Sequence, residues 1–284
     1  VGLKRYTKSR GPFRTRSAGV WVHMPSDAHE IVVDRAGFMR VWRRADMPLA
    51  TVLGALSNPG ETLKQYEKSL TRRVGGYVVK SSEGPSAVQA IRHTLQRNRY
   101  RRAWNAARFL ERHGISTPRA IAHIEWGFAG IVWRHATIIE FLGDCRDVER
   151  FYDDKAAAGA TRDELAAYLV RLANAVNRLA TIGAIHTDLA GKNVLTRDGE
   201  SFYFIDLDGI VLGEAFDELR QLQLHVQLYD SFIDRCDDAL LIPFLKAMLP
   251  QDYPQFDTWI ARVKAAQAVR RARTVAAWKR EGKL

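Results

Sequence analysis

The spacing of apolar and polar positions changes along the chain and predicts two differently built halves. Two strand-like runs, "SLTRRV" and "YVVKSS", flank Gly75–Gly76, a dipeptide typical of a hairpin turn. "RAIAHIEW" and "AGIVWRHATIIEFL" predict two more strands. Between these pairs, the run from Arg97 to Arg112 has helical spacing, with an apolar face of Tyr100, Trp104, Ala107 and Leu110. The first half is therefore predicted to be β-rich, with one main helix.

After Gly143 the pattern becomes helical. Thr161 and Glu164 have the spacing of a capping box, and the helix that follows is predicted to end at Gly183. Its apolar face comprises Leu165, Leu169, Leu172, Val176, Leu179 and Ile182. A second long helix is predicted from about Phe256, with Trp259, Val263, Ala266 and Val269 facing inward.

The change of pattern places a boundary near Glu140 to Gly143. We expect three segments: a basic N-terminal extension or entry into the N-lobe over residues 1–60, a β-rich N-terminal lobe over 61–142 and a helical C-terminal lobe over 143–284. The hydrophobic content of 46% and charged content of 26% are ordinary for a soluble globular protein. The chain contains neither an apolar run long enough to cross a bilayer nor a signal-peptide core.

The two cysteines, Cys145 and Cys236, have no metal-ligand or disulfide-framework spacing, so we expect reduced thiols in a cytoplasmic protein. The net charge of +11 is concentrated at the two ends of the chain. Such ends are either solvated basic faces or attract an anionic partner: nucleic acid, a phosphorylated glycolipid or an acidic membrane surface. Charge alone does not choose among these partners.

The candidate chemistry lies in "AIHTDLAGKNVLTRDGESFYFIDLDG", from Ala184 to Gly209. Phosphoryl transfer needs a base for the acceptor hydroxyl, oxygen ligands for Mg²⁺ and a cation on the phosphates of ATP. Asp188 is the predicted base, Asn193 a neutral Mg²⁺ ligand, and Asp206 an anionic ligand after the next strand. Asp208 is a second candidate metal contact.

The pattern H-x-D-L-x-x-x-N formed by His186, Asp188, Leu189 and Asn193 is typical of the catalytic loop of protein-kinase-like enzymes. The capped helix before it and the strand that ends at Asp206 are the expected neighbours. We therefore predict an α+β, bilobal protein-kinase-like fold with a β-rich N-lobe and a mostly helical C-lobe. His186 is expected to brace the loop by hydrogen bonds.

The other parts of a kinase-like nucleotide site are expected at characteristic positions earlier in the sequence. Lys80 closes the strand "YVVK", where it would bind the ATP phosphates, and Glu140 and Leu142 occupy the position of an adenine-binding hinge. Lys192 would reach a phosphate or an anionic substrate, with a solvated loop lysine as the alternative.

Two parts of a typical kinase nucleotide site are missing: no G-x-G-x-x-G occurs, and the predicted helix contains no acid before Glu111 to pair with Lys80. The phosphate-covering loop is expected within "NPGETLKQYEKS".

From Ser69 to the C-terminus the chain resembles the bacterial lipopolysaccharide core kinases, which phosphorylate Kdo or heptose of the inner core. The resemblance rests on "GGYVVKS", "RAWNAARFLERHGISTPRAIA", "HTDLAGKNVL", "FIDLDG" and the terminal helix. It implies Asp188 as base, Asn193 and Asp206 as Mg²⁺ ligands and Lys80 on ATP. It also implies a lipid-linked anionic sugar acceptor and peripheral contact with the cytoplasmic face of the inner membrane.

Three alternatives stay open at this point. A protein kinase would need a peptide-docking segment, but no A-P-E follows Asp206. An antibiotic-type phosphotransferase usually has an acidic substrate pocket, whereas this chain is basic. A pseudokinase that binds a partner is favoured by the missing acidic partner of Lys80. Nucleic-acid binding is not expected, because the chain carries no recognised motif for it.

Overall fold

The computed structural model describes residues 30–66, 69–82, 99–213, 218–250, 253–280 and 282. These residues form two compact units. The first contains the described residues up to Arg112 together with Pro118–Leu142, and the second contains His113–Thr117 together with the described residues from Gly143 onward.

The first unit is built on a seven-stranded antiparallel sheet with the strand order β1-β2-β6-β7-β5-β4-β3. The strands predicted between residues 61 and 140 are confirmed. Residues 30–60, for which the sequence pattern predicted no element, form β1, β2 and a helix. The strands are β1 Ile31–Ala36, β2 Met39–Arg44, β3 Glu61–Tyr66, β4 Ser69–Val74, β5 Tyr77–Ser82, β6 Ala120–Phe128 and β7 Ile131–Glu140.

Among the described residues, one helix packs on each face of this sheet. Helix α1 (Leu49–Ser57) contributes Val52 to an apolar core that also contains Ile124 and Ile138. Because side chains alternate along a strand, the neighbouring positions of β6 and β7 point to the opposite face. There the rings of Tyr100 and Trp104, from helix α2 (Arg99–Arg112), lie 6.0 and 6.4 Å from those of His135 and His123.

The second unit is mostly helical, as predicted. Its longest buried helix begins with the expected capping box, in which Glu164 Oε2 accepts a hydrogen bond from Thr161 N at 2.7 Å. The chain leaves this helix through Gly183, whose φ is +68°. The helices are α3 Val148–Ala157, α4 Arg162–Thr181, α5 Glu218–Phe232, α6 Asp238–Ala247 and α7 Phe256–Arg280.

One prediction for the terminal helix α7 is wrong. Trp259 and Val263 are buried as expected, but Val269 is 51% exposed. The buried residues of α7 are Trp259, Ile260, Val263 and Gln267. Val269 lies on another side of the helix, because the six residues from Val263 to Val269 amount to about 1.7 turns.

Both cysteines are free thiols, and burial raises the pKa of Cys236 to about 11. The thiol is therefore the form of Cys236 at neutral pH. Among the helices of the described ranges, none is both long enough and apolar enough to cross a bilayer.

Candidate active site

The predicted catalytic and metal-binding residues lie on two loops held side by side by short strands of the second unit. Strand β9 (Ala184–His186) pairs with β12 (Ile210–Leu212), and β10 (Val194–Thr196) pairs with β11 (Phe202–Phe204) and with β8 (Arg146–Asp147). The first loop leaves β9 and the second enters β12. Thr187 joins them, because its N and Oγ1 both donate to the Gly209 carbonyl, at 3.1 and 2.8 Å.

The side chain of His186 forms hydrogen bonds to the backbone of both loops. Its buried ring places Nε2 2.8 Å from the Ile205 carbonyl oxygen, and Nδ1 accepts a hydrogen bond from Asp188 N at 3.3 Å. Because Nδ1 accepts, the proton lies on Nε2. Burial lowers the pKa of His186, although the Ile205 carbonyl and three nearby carboxylates, those of Asp188, Asp206 and Asp208, act in the opposite direction. A neutral ring that holds the loops fits the expected bracing role.

Asp188 and Asn193 lie next to each other at the edge of the first loop. Asn193 Nδ2 donates to the Asp188 carbonyl oxygen at 2.7 Å and to its Oδ2 at 3.2 Å. Asn193 is buried in the short 3-10 turn Gly191–Asn193, whereas Asp188 is exposed. Since the Asn193 amide nitrogen serves the loop, its Oδ1 is the side-chain atom that could bind a metal ion.

Asp206 starts the second loop with a left-handed backbone, φ 59° and ψ 48°. This conformation costs a residue with a Cβ about 1 kcal/mol or more, and such strain is concentrated at functional sites. The residue before it, Ile205, donates its N–H to the Asn193 carbonyl oxygen at 2.9 Å, so the backbones beside both predicted metal ligands are hydrogen-bonded together. The side chain of Asp206 is exposed, and that of Asp208, in the following 3-10 turn, is half-buried.

Helix α5 supplies a support for the first loop that was not predicted from the sequence. The buried side chain of Gln227 accepts from Leu189 N at 2.6 Å and donates to the Thr187 carbonyl at 2.9 Å. One amide group therefore holds the residues on both sides of Asp188. Ser231, one turn later, accepts from Gly191 N at 2.9 Å. A glutamine within a helix gives no sequence signal for this role, because its partners lie about forty positions earlier in the chain.

Lys80 belongs to the first unit. It is half-buried in the middle of β5, where its register neighbours are Thr71 of β4 and Thr137 of β7. The helix acid considered for it, Glu111, forms an ion pair with Arg44 at 2.6 Å. The turn between β3 and β4, in the segment expected to cover the phosphates, contains residues 67–68, which lie outside the described residues.

The predicted hinge residues lie at the end of β7. The Glu140 N–H donates to the Arg119 carbonyl and the Phe141 N–H to the Gly76 carbonyl, both at 2.9 Å. Because these two amides already donate hydrogen bonds within the protein, the Glu140 carbonyl and Leu142 are the hinge groups still predicted to contact adenine. Lys192, in the other unit, is exposed in the 3-10 turn beside Asn193.

The residues of the two loops fit the predicted metal. Asn193 Oδ1 and the exposed Asp206 carboxylate are hard oxygen donors, which Mg²⁺ prefers, and Mg²⁺ usually takes the rest of its ligands from water and phosphate. Within the described ranges, the one compact trio of possible His, Cys, Asp or Glu ligands lies elsewhere, at His123, Glu125 and His135.

A solved structure described as "WaaP in complex with acyl carrier protein" has a similar fold, with a TM-score of 0.59 and 19% identity over 76% of this chain and 90% of that one. WbdD matches with a TM-score of 0.43 and 20% identity, over 72% of this chain and 49% of that one. A glucosamine kinase solved with glucosamine, ADP and inorganic phosphate matches at 0.42 and 16%, over 84% and 81%. These last two scores support no functional conclusion.

No curated protein matches the chain. The fold shared with WaaP agrees with the kinase-like architecture expected from the H-x-D-L-x-x-x-N motif and the loops it forms. The model of the lipopolysaccharide kinase (Kdo/WaaP) family matches residues 62–241, well over half of the 284 residues. The chain therefore belongs to the lipopolysaccharide kinase (Kdo/WaaP) family.

Proposed function

We propose that this protein transfers the γ-phosphoryl group of ATP to a hydroxyl of Kdo or heptose in the inner core of lipopolysaccharide. The observation that carries the proposal is the pair of hydrogen-bonded loops, in which Asn193 orients Asp188 and Ile205 holds Asp206 beside the same turn. Phosphoryl transfer depends mainly on such positioning and on charge stabilisation.

Asp188 is the proposed general base. Its carboxylate is exposed, as a group that must meet an acceptor hydroxyl has to be, and Asn193 holds one of its oxygens at 3.2 Å. The other oxygen would take the hydroxyl proton as the oxygen–phosphorus bond forms. General-base catalysis of this kind contributes about 10²–10⁴-fold to a rate.

Asn193 and Asp206 would hold Mg²⁺, with Asp208 as a second contact. When bound, the ion would neutralise charge on the phosphate oxygens of ATP. Lys80 is the proposed phosphate-binding cation, and the Glu140 carbonyl and Leu142 are proposed to contact adenine. Lys192, exposed beside Asn193, would attract a phosphate or an anionic acceptor.

A lipid-linked, anionic sugar is the proposed acceptor, and the cytoplasmic face of the inner membrane the proposed location. Family membership supports the acceptor class, and the net charge of +11 suits a phosphate- and carboxylate-rich glycolipid. The protein-kinase alternative is less well supported, because α5 begins at Glu218, soon after Gly209, and leaves little chain for peptide docking.

The test is transfer of labelled phosphate from ATP to purified inner-core glycolipid. We expect Asp188→Ala and Asp206→Ala each to lower the rate by about 10²-fold or more. Asp163→Asn, which removes an exposed carboxylate from the first turn of α4, is the matched control and keeps full activity. Undiminished transfer by both site variants would rule the mechanism out. Labelled phosphate found in protein and not in glycolipid would favour a protein kinase. If ATP with Mg²⁺ does not raise the unfolding temperature of the protein, a binding module would be favoured.

A further inference from the structure

Two hairpin turns of the first unit meet at one end of its sheet. Phe38 lies in the β1–β2 turn, and Phe128 is the last residue of β6, directly before the β6–β7 turn. A hydrogen bond of 2.9 Å from Gly127 N to the Phe38 carbonyl joins the turns. The Phe38 ring packs edge-on against Phe128 and against Trp133 of β7, with both centroid distances 5.8 Å.

Phe38 and Phe128 are exposed instead of forming part of the core, and Trp133 is half-buried. Phe38 is 60% exposed, Phe128 67% and the neighbouring Ile131 44%. We call Phe38, Phe128, Ile131 and Trp133 the hairpin-tip patch. Single exposed apolar residues are common on proteins, but a contiguous group brought together from two turns marks an interaction site.

Within the described stretches 34–40 and 125–134, which form the hairpin-tip patch and its surroundings, the exposed charges are all positive. Arg35, Arg40 and Arg134 are exposed on the strands next to the turns. The acids of the described stretches 34–40 and 125–134 are Asp34 and Glu125. Both are buried and hydrogen-bonded, to Arg43 at 2.7 Å and to His123 at 3.1 Å respectively. A partner that meets this end of the sheet therefore encounters aromatic rings within a positive rim.

The size and chemistry of the patch favour a lipid surface over a protein. A stable protein interface uses about 20–30 residues from each side, whereas this projection offers two tight turns. Exposed aromatic rings suit the boundary between headgroups and acyl chains, and arginines suit anionic headgroups. We propose that the hairpin-tip patch docks on an anionic bilayer surface, with Phe38 and Phe128 entering the interface and Arg35, Arg40 and Arg134 binding lipid phosphates.

The patch is distant from the predicted nucleotide residues of the same unit. Ile131 begins β7 and Glu140 ends it, and a strand of this length spans about 30 Å. Lys80 pairs with Thr137, towards the Glu140 end. Substitutions at the patch should therefore leave phosphate transfer to a water-soluble acceptor unchanged.

The inference deepens the proposed function, since it rests on the idea of a lipid-linked acceptor and adds the surface that meets the lipid. The two can fail separately, because vesicle binding is measured without ATP or acceptor.

The test is co-flotation of the full chain with vesicles of phosphatidylcholine alone or with roughly one-third phosphatidylglycerol. We expect binding to the anionic vesicles, and a loss of at least about tenfold for F38S/F128S. Leu219→Ser, which removes another large apolar side chain that is 74% exposed, is the control and binds like the parent. Unfolding temperatures verify that each variant is folded.

A second variant, R35Q/R40Q/R134Q, leaves the rings in place and should lose the preference for anionic vesicles. Equal binding by the parent and F38S/F128S would overturn the proposal. So would failure of the parent to bind any vesicle, which would assign the patch to a protein partner. Equal binding to neutral and anionic vesicles would also contradict it.

Discussion

Asn193 donates its side-chain amide to both the carbonyl and the carboxylate of Asp188, at 2.7 and 3.2 Å. The five-residue spacing of the motif thus has a physical meaning, because the 3-10 turn Gly191–Asn193 brings the side chain of Asn193 back to Asp188. The same side chain orients the proposed base through its nitrogen and leaves its oxygen for the proposed metal.

Replacing Asn193 by alanine should therefore affect both functions. We expect the Mg²⁺ concentration for half-maximal activity to rise by at least about tenfold, with a lower kcat as well. Rates measured over a Mg²⁺ series at saturating ATP provide the test. Asn174→Ala, at an exposed position of α4, is the control. An unchanged Mg²⁺ requirement in Asn193→Ala would remove this residue from the metal site.

Gln227 should be a positioning residue. Gln227→Leu leaves the Leu189 N–H and the Thr187 carbonyl without their partner, which costs about 1–3 kcal/mol for each buried group. We expect lower stability and a lower kcat with little change in the KM for ATP, because the loop that carries Asp188 loosens.

Ser231→Ala is the comparison for Gln227→Leu, since it removes one bond, from Gly191 N. Urea unfolding and steady-state kinetics of both variants separate the two effects. A Gln227→Leu protein that is destabilised but has the parental kcat would show that the glutamine supports the fold and not the loop geometry.

His225 should make stability depend on pH. Burial lowers its pKa to about 4, and its Nδ1 accepts a hydrogen bond from Trp259 Nε1 at 2.8 Å, which requires the neutral ring. The unfolded chain binds a proton near pH 6.5 and the folded chain does not. The free energy of unfolding should therefore fall as the pH drops from about 6.5 towards 4, by about 2 kcal/mol near pH 5 from this residue.

His225→Gln keeps an acceptor for Trp259 and removes the titration. Urea unfolding of the parent and the variant at about pH 7 and about pH 5 should show a smaller pH effect in the variant. Carboxylates that titrate in both proteins cancel in this comparison. If the free energy of unfolding changes equally with pH in the parent and the variant, His225 is not the group responsible.

Two glycines should respond oppositely to alanine. A Cβ at Gly183 would lie 2.5 Å from the Gly213 carbonyl oxygen, and the φ of +68° already disfavours a side chain, so Gly183→Ala should destabilise by about 1–2 kcal/mol or more. Gly54 is exposed in α1 with open space around its Cβ position, so Gly54→Ala should stabilise by about 0.5–1 kcal/mol. Thermal or urea unfolding measures both, and a stabilised Gly183→Ala would contradict the reasoning.

Local patterns in the sequence were sufficient for the elements whose apolar residues repeat regularly. The α4 capping box, its buried leucines and the strands around Lys80 were predicted, because each depends on residues near one another in the chain. Val269 was misplaced because it lies two residues past Gln267, the last buried residue of α7, and therefore about 200° around the helix from it. Residues 30–60 lacked a strong enough period to predict β1, β2 and α1.

In the candidate site, too, the features predicted from local sequence differ from those that only the folded chain shows. By itself the sequence determined the loop motif, the residue types at 186, 188, 193 and 206, and the family, since these follow from short spacings along the chain. Only the tertiary structure decided that Gln227 holds both sides of Asp188, that Glu111 pairs with Arg44, and that Phe38 meets Phe128. Each of these contacts joins residues distant in the chain, and spacing carries no information about such partners until the backbone has folded.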